Sequence, residues 1–131
     1  MNLIPLLLIA AGSALGGMAR YGISGWVQSG AASTFPWGTL AVNVSGCLIL
    51  GVLMRWLGAV AASAPWRLFF AIGFCGAYTT FSTFSFEAVQ LMRDREWSAA
   101  VGYLTASVLA GLTAMIVGMA AAEWYLRSSR G

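Results

Sequence analysis

Residues 73–87 read Gly-Phe-Cys-Gly-Ala-Tyr-Thr-Thr-Phe-Ser-Thr-Phe-Ser-Phe-Glu, inside an apolar stretch. Gly73 and Gly76, with the adjacent Thr79 and Thr80, interrupt what is otherwise a plain membrane helix. Non-helical backbone survives at membrane depth only where protein or a water-filled path covers it. Such interruptions mark ion or substrate sites. Phe81 and Phe84 follow, spaced to share one helix face. Phenyl edges carry partial positive charge, so they attract an anion without the tight hold of an arginine. Thr79, Thr80, Ser82, Thr83 and Ser85 surround them with hydroxyl donors, and Glu87 follows. The chemistry on offer is the handling of a small anion by neutral donors. Glu87 either lines a vestibule or marks the helix end near water.

Other candidates lie on other segments. Thr39, Asn43 and Cys47 recur every fourth residue and share a face. An intramembrane amide such as Asn43 has two readings, an interhelical hydrogen bond or a donor to a permeating anion. Tyr103 and Ser107, four apart, continue the polar stripe. Arg20 either draws anions into a vestibule or snorkels to the headgroups.

These residues sit in a chain of 131 residues that is 60% hydrophobic and 8% charged, with a mean hydropathy of +0.80. Soluble domains carry about 25% charged residues, so this is an integral membrane protein. Apolar stretches at roughly 3–27, 37–59, 66–92 and 97–126 each exceed the length of about 20 residues that crosses a bilayer. The fold class is therefore all-α, with four transmembrane helices, the third broken, in one domain over 1–131. The first stretch has no Lys or Arg before it, unlike a signal peptide, and is expected to remain as the first span. Pro36 and Trp37 suit the start of the second helix at the membrane interface. Glu123, Trp124, Tyr125 and Arg127 form an interfacial anchor at the end of the fourth.

Glycine is abundant, at 16 residues. Gly12 and Gly16, Ser13 and Gly17, and Gly102, Ala106 and Ala110 make small-residue ridges that let helices approach closely. They serve packing within one bundle, a subunit interface, or both. Cys47 and Cys75 read as small packing residues. With no His and two Cys, there is no zinc-type ligand set and no recognisable nucleophile–base pair, so an enzyme is not expected.

All seven basic residues are arginines. With four spans, Arg55, Arg67, Arg127 and Arg130 fall on one side and Arg20, Arg93 and Arg95 on the other. That near balance gives no firm orientation. It fits either a weak rule in a small protein or insertion in both orientations with antiparallel pairing.

Three blocks now carry a resemblance. They are Gly16-Gly17-Met18-Ala19-Arg20-Tyr21, then Pro36-Trp37-Gly38-Thr39-Leu40-Ala41-Val42-Asn43-Val44-Ser45-Gly46, then Gly73-Phe74-Cys75-Gly76-Ala77-Tyr78-Thr79-Thr80-Phe81-Ser82-Thr83-Phe84. Together they resemble the Fluc/CrcB fluoride channels over essentially the whole chain. The resemblance implies a dual-topology antiparallel homodimer in the inner or plasma membrane, with two pores for passive fluoride export. It implies that Asn43 donates to fluoride and that Phe81 and Phe84 line the path. Thr39, Thr80, Ser82, Thr83, Tyr103 and Ser107 would supply further polar groups. The carbonyls of Gly76 and Thr79 from both subunits would hold a structural sodium ion. Two departures from the family pattern are Gly111, where another hydroxyl is common, and Cys75-Gly76-Ala77, where a glycine pair is common. The competing readings are a small four-helix drug/proton antiporter, which needs a membrane-embedded carboxylate that the first two spans lack, and a non-transporting membrane scaffold, which leaves the polar stripe unexplained.

Overall fold

The structure is a computed structural model and describes residues 3–59 and 64–129. Arg130, counted in the arginine balance, lies outside the described residues. The elements run α1 (Ile4–Gly30), α2 (Trp37–Ala59), α3 (Ala64–Trp66), π1 (Arg67–Cys75), α4 (Gly76–Tyr78), α5 (Phe81–Arg93) and α6 (Trp97–Ser128). Four helical stretches are long and apolar enough to cross a membrane, Ile4–Gly30, Trp37–Ala59, Ala64–Arg93 and Trp97–Ser128. They match the four apolar runs read from the sequence to within a few residues.

Two helices start where the sequence provides a start. Pro5 stands in the first turn of α1, where its missing N–H costs nothing. Thr80 caps α5, its side chain accepting the Thr83 N–H. Between α5 and α6 the chain reverses over Asp94–Glu96. Arg95 takes a left-handed φ of 62°, and the Glu96 N–H reaches back to the Leu91 carbonyl at 2.9 Å. This is the Schellman arrangement with arginine in the place usually held by glycine. Thr34 in the α1–α2 turn donates to Glu96 at 3.1 Å, so the two turns at this end are tied together.

Glycines set the helix contacts. A Cβ on Gly12 would strike the Phe69 carbonyl, and one on Gly16 the Phe74 carbonyl. These two glycines of α1 therefore lie backbone-to-backbone on π1. A Cβ on Gly118 of α6 would strike the Leu48 carbonyl of α2. By contrast, a Cβ on Gly17 or Gly102 meets nothing within 4 Å. The ridge reading thus divides. Gly12 and Gly16 pack within the chain, as does Gly118, which the ridges did not include, while Gly17 and Gly102 face open space.

Helices α2 and α6 run parallel and in register. Thr39 and Tyr103 meet on a shared carboxylate, and a Cβ on Gly111 would lie 3.6 Å from Cys47 Sγ. The same register sets Asn43 level with Ser107. The core between α5 and α6 consists of Phe84, Ala88, Leu91, Ala100 and Tyr103.

Candidate functional site

The site is organised around two residues without helical backbone. Thr79 (φ −87°, ψ 160°) and Thr80 (φ −150°, ψ 118°) are extended between α4 and α5. In an uninterrupted helix the Thr80 N–H would bond the Gly76 carbonyl. Here it donates to Asn43 Oδ1 at 2.8 Å, and Asn43 Nδ2 donates to the Thr80 carbonyl at 3.0 Å. Asn43 thus clasps both backbone groups of Thr80. Likewise the Thr83 N–H, which would serve the Thr79 carbonyl, goes to Thr80 Oγ1 at 3.2 Å. The break removes the helical donors of the four carbonyls from Gly76 to Thr79, and the donors that Gly76 and Thr79 lose are taken up by Asn43 and Thr80. Gly76 is also exposed on the surface of the chain.

The interhelical reading of Asn43 is therefore realised, and it leaves the amide a second hydrogen, since a side-chain amide has two donors. Gly46 makes room for this junction, because a Cβ there would strike Thr79 Cγ2. Asn43, Gly46, Cys47, Leu50, Thr79, Thr80 and Phe81 line a cavity of about 220 Å³.

The two phenylalanines have different surroundings. Their rings are 5.7 Å apart and tilted. Phe81 is 80% exposed, while Phe84 is 9% exposed and packs on Tyr103 at 5.1 Å between ring centroids. Ser82 Oγ and Thr80 Oγ1 lie 3.4 Å apart, and Thr80 Oγ1 donates to Thr83 Oγ1 at 3.0 Å. These hydroxyls form one local cluster.

Glu87 is not a loose helix end. Thr39 Oγ1 donates to its Oε1 at 2.8 Å and the Tyr103 hydroxyl to its Oε2 at 2.7 Å. One carboxylate so joins α2, α5 and α6. Glu87 and Thr39 also line a cavity of about 270 Å³ whose outer rim includes Thr34, Asp94 and Glu96. Arg20, half-buried, lines a separate cavity of about 460 Å³ with Thr39, Thr80 and Thr83. Ser107 Oγ is buried with no hydrogen-bond partner among the described residues.

The three cavities are neighbours with walls in common. Thr39 borders the outer and Arg20 cavities, and Thr80 borders the Arg20 and Phe81 cavities. Asn43, Thr39, Thr80, Thr83, Phe81, Arg20 and Glu87 are brought onto this series. Phe84, Tyr103 and Ser107 stand behind it, in or against the core of the chain.

Sequence reasoning missed two participants. Gln28 binds the α1–α2 turn, and the Ser45 hydroxyl lies 2.8 Å from that of Tyr78. The signal for Ser45 was its place one turn from Ala41, whose carbonyl it also bonds at 2.7 Å. Gln28 had the signal of any amide near a span end, a polar group costly to leave without partners.

Comparison with known proteins places this chain. The family model described as CrcB-like protein, Camphor Resistance (CrcB), matches residues 7–119. A protein of Chloroflexus aurantiacus named fluoride-specific ion channel FluC is 38% identical over 92% of this chain and 96% of its own length. Fluoride-specific ion channel FluC 1 of Thermobifida fusca is 42% identical, over 92% and 98%. Fluoride-specific ion channel FluC 2 of Rhodopseudomonas palustris is 46% identical, over 90% and 92%.

Proposed function

The chain belongs to the CrcB family, and from that premise we propose that it is a fluoride channel giving passive export across the plasma membrane. It is a multi-pass membrane protein and not an enzyme. The observation that carries the reading is the row of three neighbouring cavities that share Thr39 and Thr80 as walls, with acidic groups at the first, Arg20 at the second and the neutral donors of Asn43 and the threonines beyond.

The difficulty for such a channel is dehydration. Removing a small anion from water without replacing its hydrogen bonds is prohibitive. Arg20 attracts the anion into the middle cavity. Hydroxyls of Ser82 and Thr83 replace part of its hydration shell, while those of Thr39 and Thr80 already donate to Glu87 and Thr83 and hold the wall in shape. Asn43 contributes its second amide hydrogen while its first holds Thr80 in place. The exposed Phe81 edge then binds weakly, so the ion leaves as readily as it arrives. Phe84, Tyr103 and Ser107 support or extend that wall.

The finer architecture is also part of the proposal. The interruption at Thr79–Thr80 is read as a broken third helix. The functional unit is an antiparallel, dual-topology homodimer with two pores. Supporting it are the arginine balance, the open faces of Gly17 and Gly102, and the exposure of Phe81 and Gly76. A structural sodium ion fits the donor set, because carbonyl oxygens suit a hard cation and those of Gly76 and Thr79 have lost their helical donors to Asn43 and Thr80. When bound, it would tie the two protomers together by charge. A drug/proton antiporter is not favoured, since both Glu87 oxygens are held by Thr39 and Tyr103.

Liposomes holding the purified protein and fluoride test the function. On addition of a potassium ionophore, fluoride is expected to leave and chloride to stay. Equal release of both ions, or of neither, sinks the proposal.

A further inference from the structure

Gln28 lies in the wall between the outer cavity and the Arg20 cavity, together with Ser24 and Thr39. Its position is fixed by three hydrogen bonds. Nε2 donates to the carbonyls of Ser33 at 3.3 Å and Phe35 at 3.2 Å, and Oε1 accepts the Gly38 N–H at 3.1 Å. The last bond satisfies one of the free N–H groups at the start of α2. One α1 side chain thereby holds both the α1–α2 turn and the first turn of α2, which carries Thr39. One turn earlier in α1, Ser24 touches α2 so closely that a Cβ on Gly38 would strike its carbonyl. The α1–α2 corner is thus pinned at two successive levels, by a backbone approach at Ser24 and by an amide at Gln28. Neither level closes the wall by bulk. Both set how far Thr39 stands from α1.

We propose that Gln28 is the positioning residue of the neck through which fluoride passes from the outer cavity to the Arg20 cavity. This rests on the fluoride-channel reading and deepens it. The outer rim carries Asp94 and Glu96 and the inner cavity carries Arg20, so the neck divides a mouth that repels anions from a chamber that draws them. Width at that division governs how readily the ion arrives. It does not govern the choice between fluoride and chloride, which lies beyond it at Asn43 and Phe81. Loss of the amide therefore alters arrival and spares selection.

The test compares wild-type protein with Gln28→Met and Gln28→Glu, each reconstituted at equal dimer content. Methionine keeps length and removes all three bonds. Flux is measured against fluoride concentration, and hydrogen exchange at Gly38 is followed in parallel. For Gln28→Met, faster Gly38 exchange is expected, with a half-saturating fluoride concentration raised about three-fold or more. Maximal flux and the fluoride-to-chloride ratio should stay within about two-fold. Gln28→Glu keeps the acceptor for Gly38 but adds a negative charge at the neck. It should lose more flux at low salt than Gln28→Met, and raised ionic strength should restore part of it as the charge is screened. Faster Gly38 exchange with an unchanged fluoride titration overturns the inference. So does a fall in maximal flux that follows dimer yield, which is a folding role alone. No fluoride flux from the wild type refutes the channel reading itself, and the neck with it.

Discussion

The helix contacts at Gly12, Gly16 and Gly118 and the junction at Thr79–Thr80 are held in opposite ways. At the glycines, backbone lies on backbone with no room for a Cβ, and the contact is mainly close packing, with a single long hydrogen bond from Ser13 to the Gly73 carbonyl beside it. At the junction, backbone groups have left the helix ladder and side chains of Asn43 and Thr80 take them up. The first region tolerates no added volume. The second tolerates no lost hydrogen bond. The four spans thus combine close apolar contacts in one region with side-chain-held backbone in another.

The largest effect is expected from Gly12→Val. Its Cβ would strike the Phe69 carbonyl, and overpacking a helix contact costs about 3 kcal/mol. Detergent-purified protein should elute as aggregate, without the folded peak that the wild type gives. A folded Gly12→Val variant would show that π1 yields, and the contrast between the two regions would fail. Next comes Asn43. Asn43→Leu leaves the Thr80 N–H and carbonyl without their partners, at about 1–3 kcal/mol each. Asn43→Asp retains the acceptor for Thr80 but loses the donor and repels an anion. Aspartate is therefore expected to be the more stable variant in thermal unfolding, while fluoride flux falls at least ten-fold in both. Equal flux in wild type and Asn43→Asp would confine Asn43 to holding the backbone.

The phenylalanines sharpen the comparison at a smaller scale. Phe81→Ile alters an 80% exposed ring and should cut flux several-fold with an unchanged unfolding temperature. Phe84→Ile disturbs the contact with Tyr103 and should lower stability by about 1 kcal/mol along with flux. If the two variants behave alike in both measurements, the division into a pore ring and a core ring is wrong. Smallest of all is Gly17→Ala, whose Cβ meets nothing within the protomer. Protomer stability should change by less than about 0.5 kcal/mol. A measurable loss confined to dimer content would place Gly17 at the subunit contact.

The four spans were legible because hydropathy over about 20 residues is a strong signal. The extended residues Thr79 and Thr80 are among those that the sequence marks as unsuited to a plain lipid-facing helix, whereas Gly73 and Gly76, marked with them, keep helical backbone. The nine-residue π-helix Arg67–Cys75 was not legible. Its apolar composition suits either hydrogen-bond spacing, and what distinguishes it is contact with α1, where Ser13 Oγ donates to the Gly73 carbonyl at 3.4 Å. Helical spacing placed Phe81 and Phe84 on one face, yet a face is wide enough for one ring to enter the core and the other to stay outside. Gly12 and Gly17 look alike in sequence and differ only in which helix lies opposite. Gln28 belongs to the same class, since its partners are set by the path of a turn.

The clasp between Asn43 and Thr80 also constrains how the protein is made. A nascent third span released into lipid alone would leave the Thr80 amide and carbonyl bare, at several kcal/mol for each group. It could avoid that penalty only by closing into a continuous helix. Opening it again needs Asn43, which lies on α2. Synthesis from the N-terminus delivers α2 first, so the acceptor and donor are already in the membrane when Thr79 and Thr80 emerge. The order of segments along the chain thus acts as its own chaperone, and a permuted chain that began at Ala64 should insert its first span unbroken and mature more slowly.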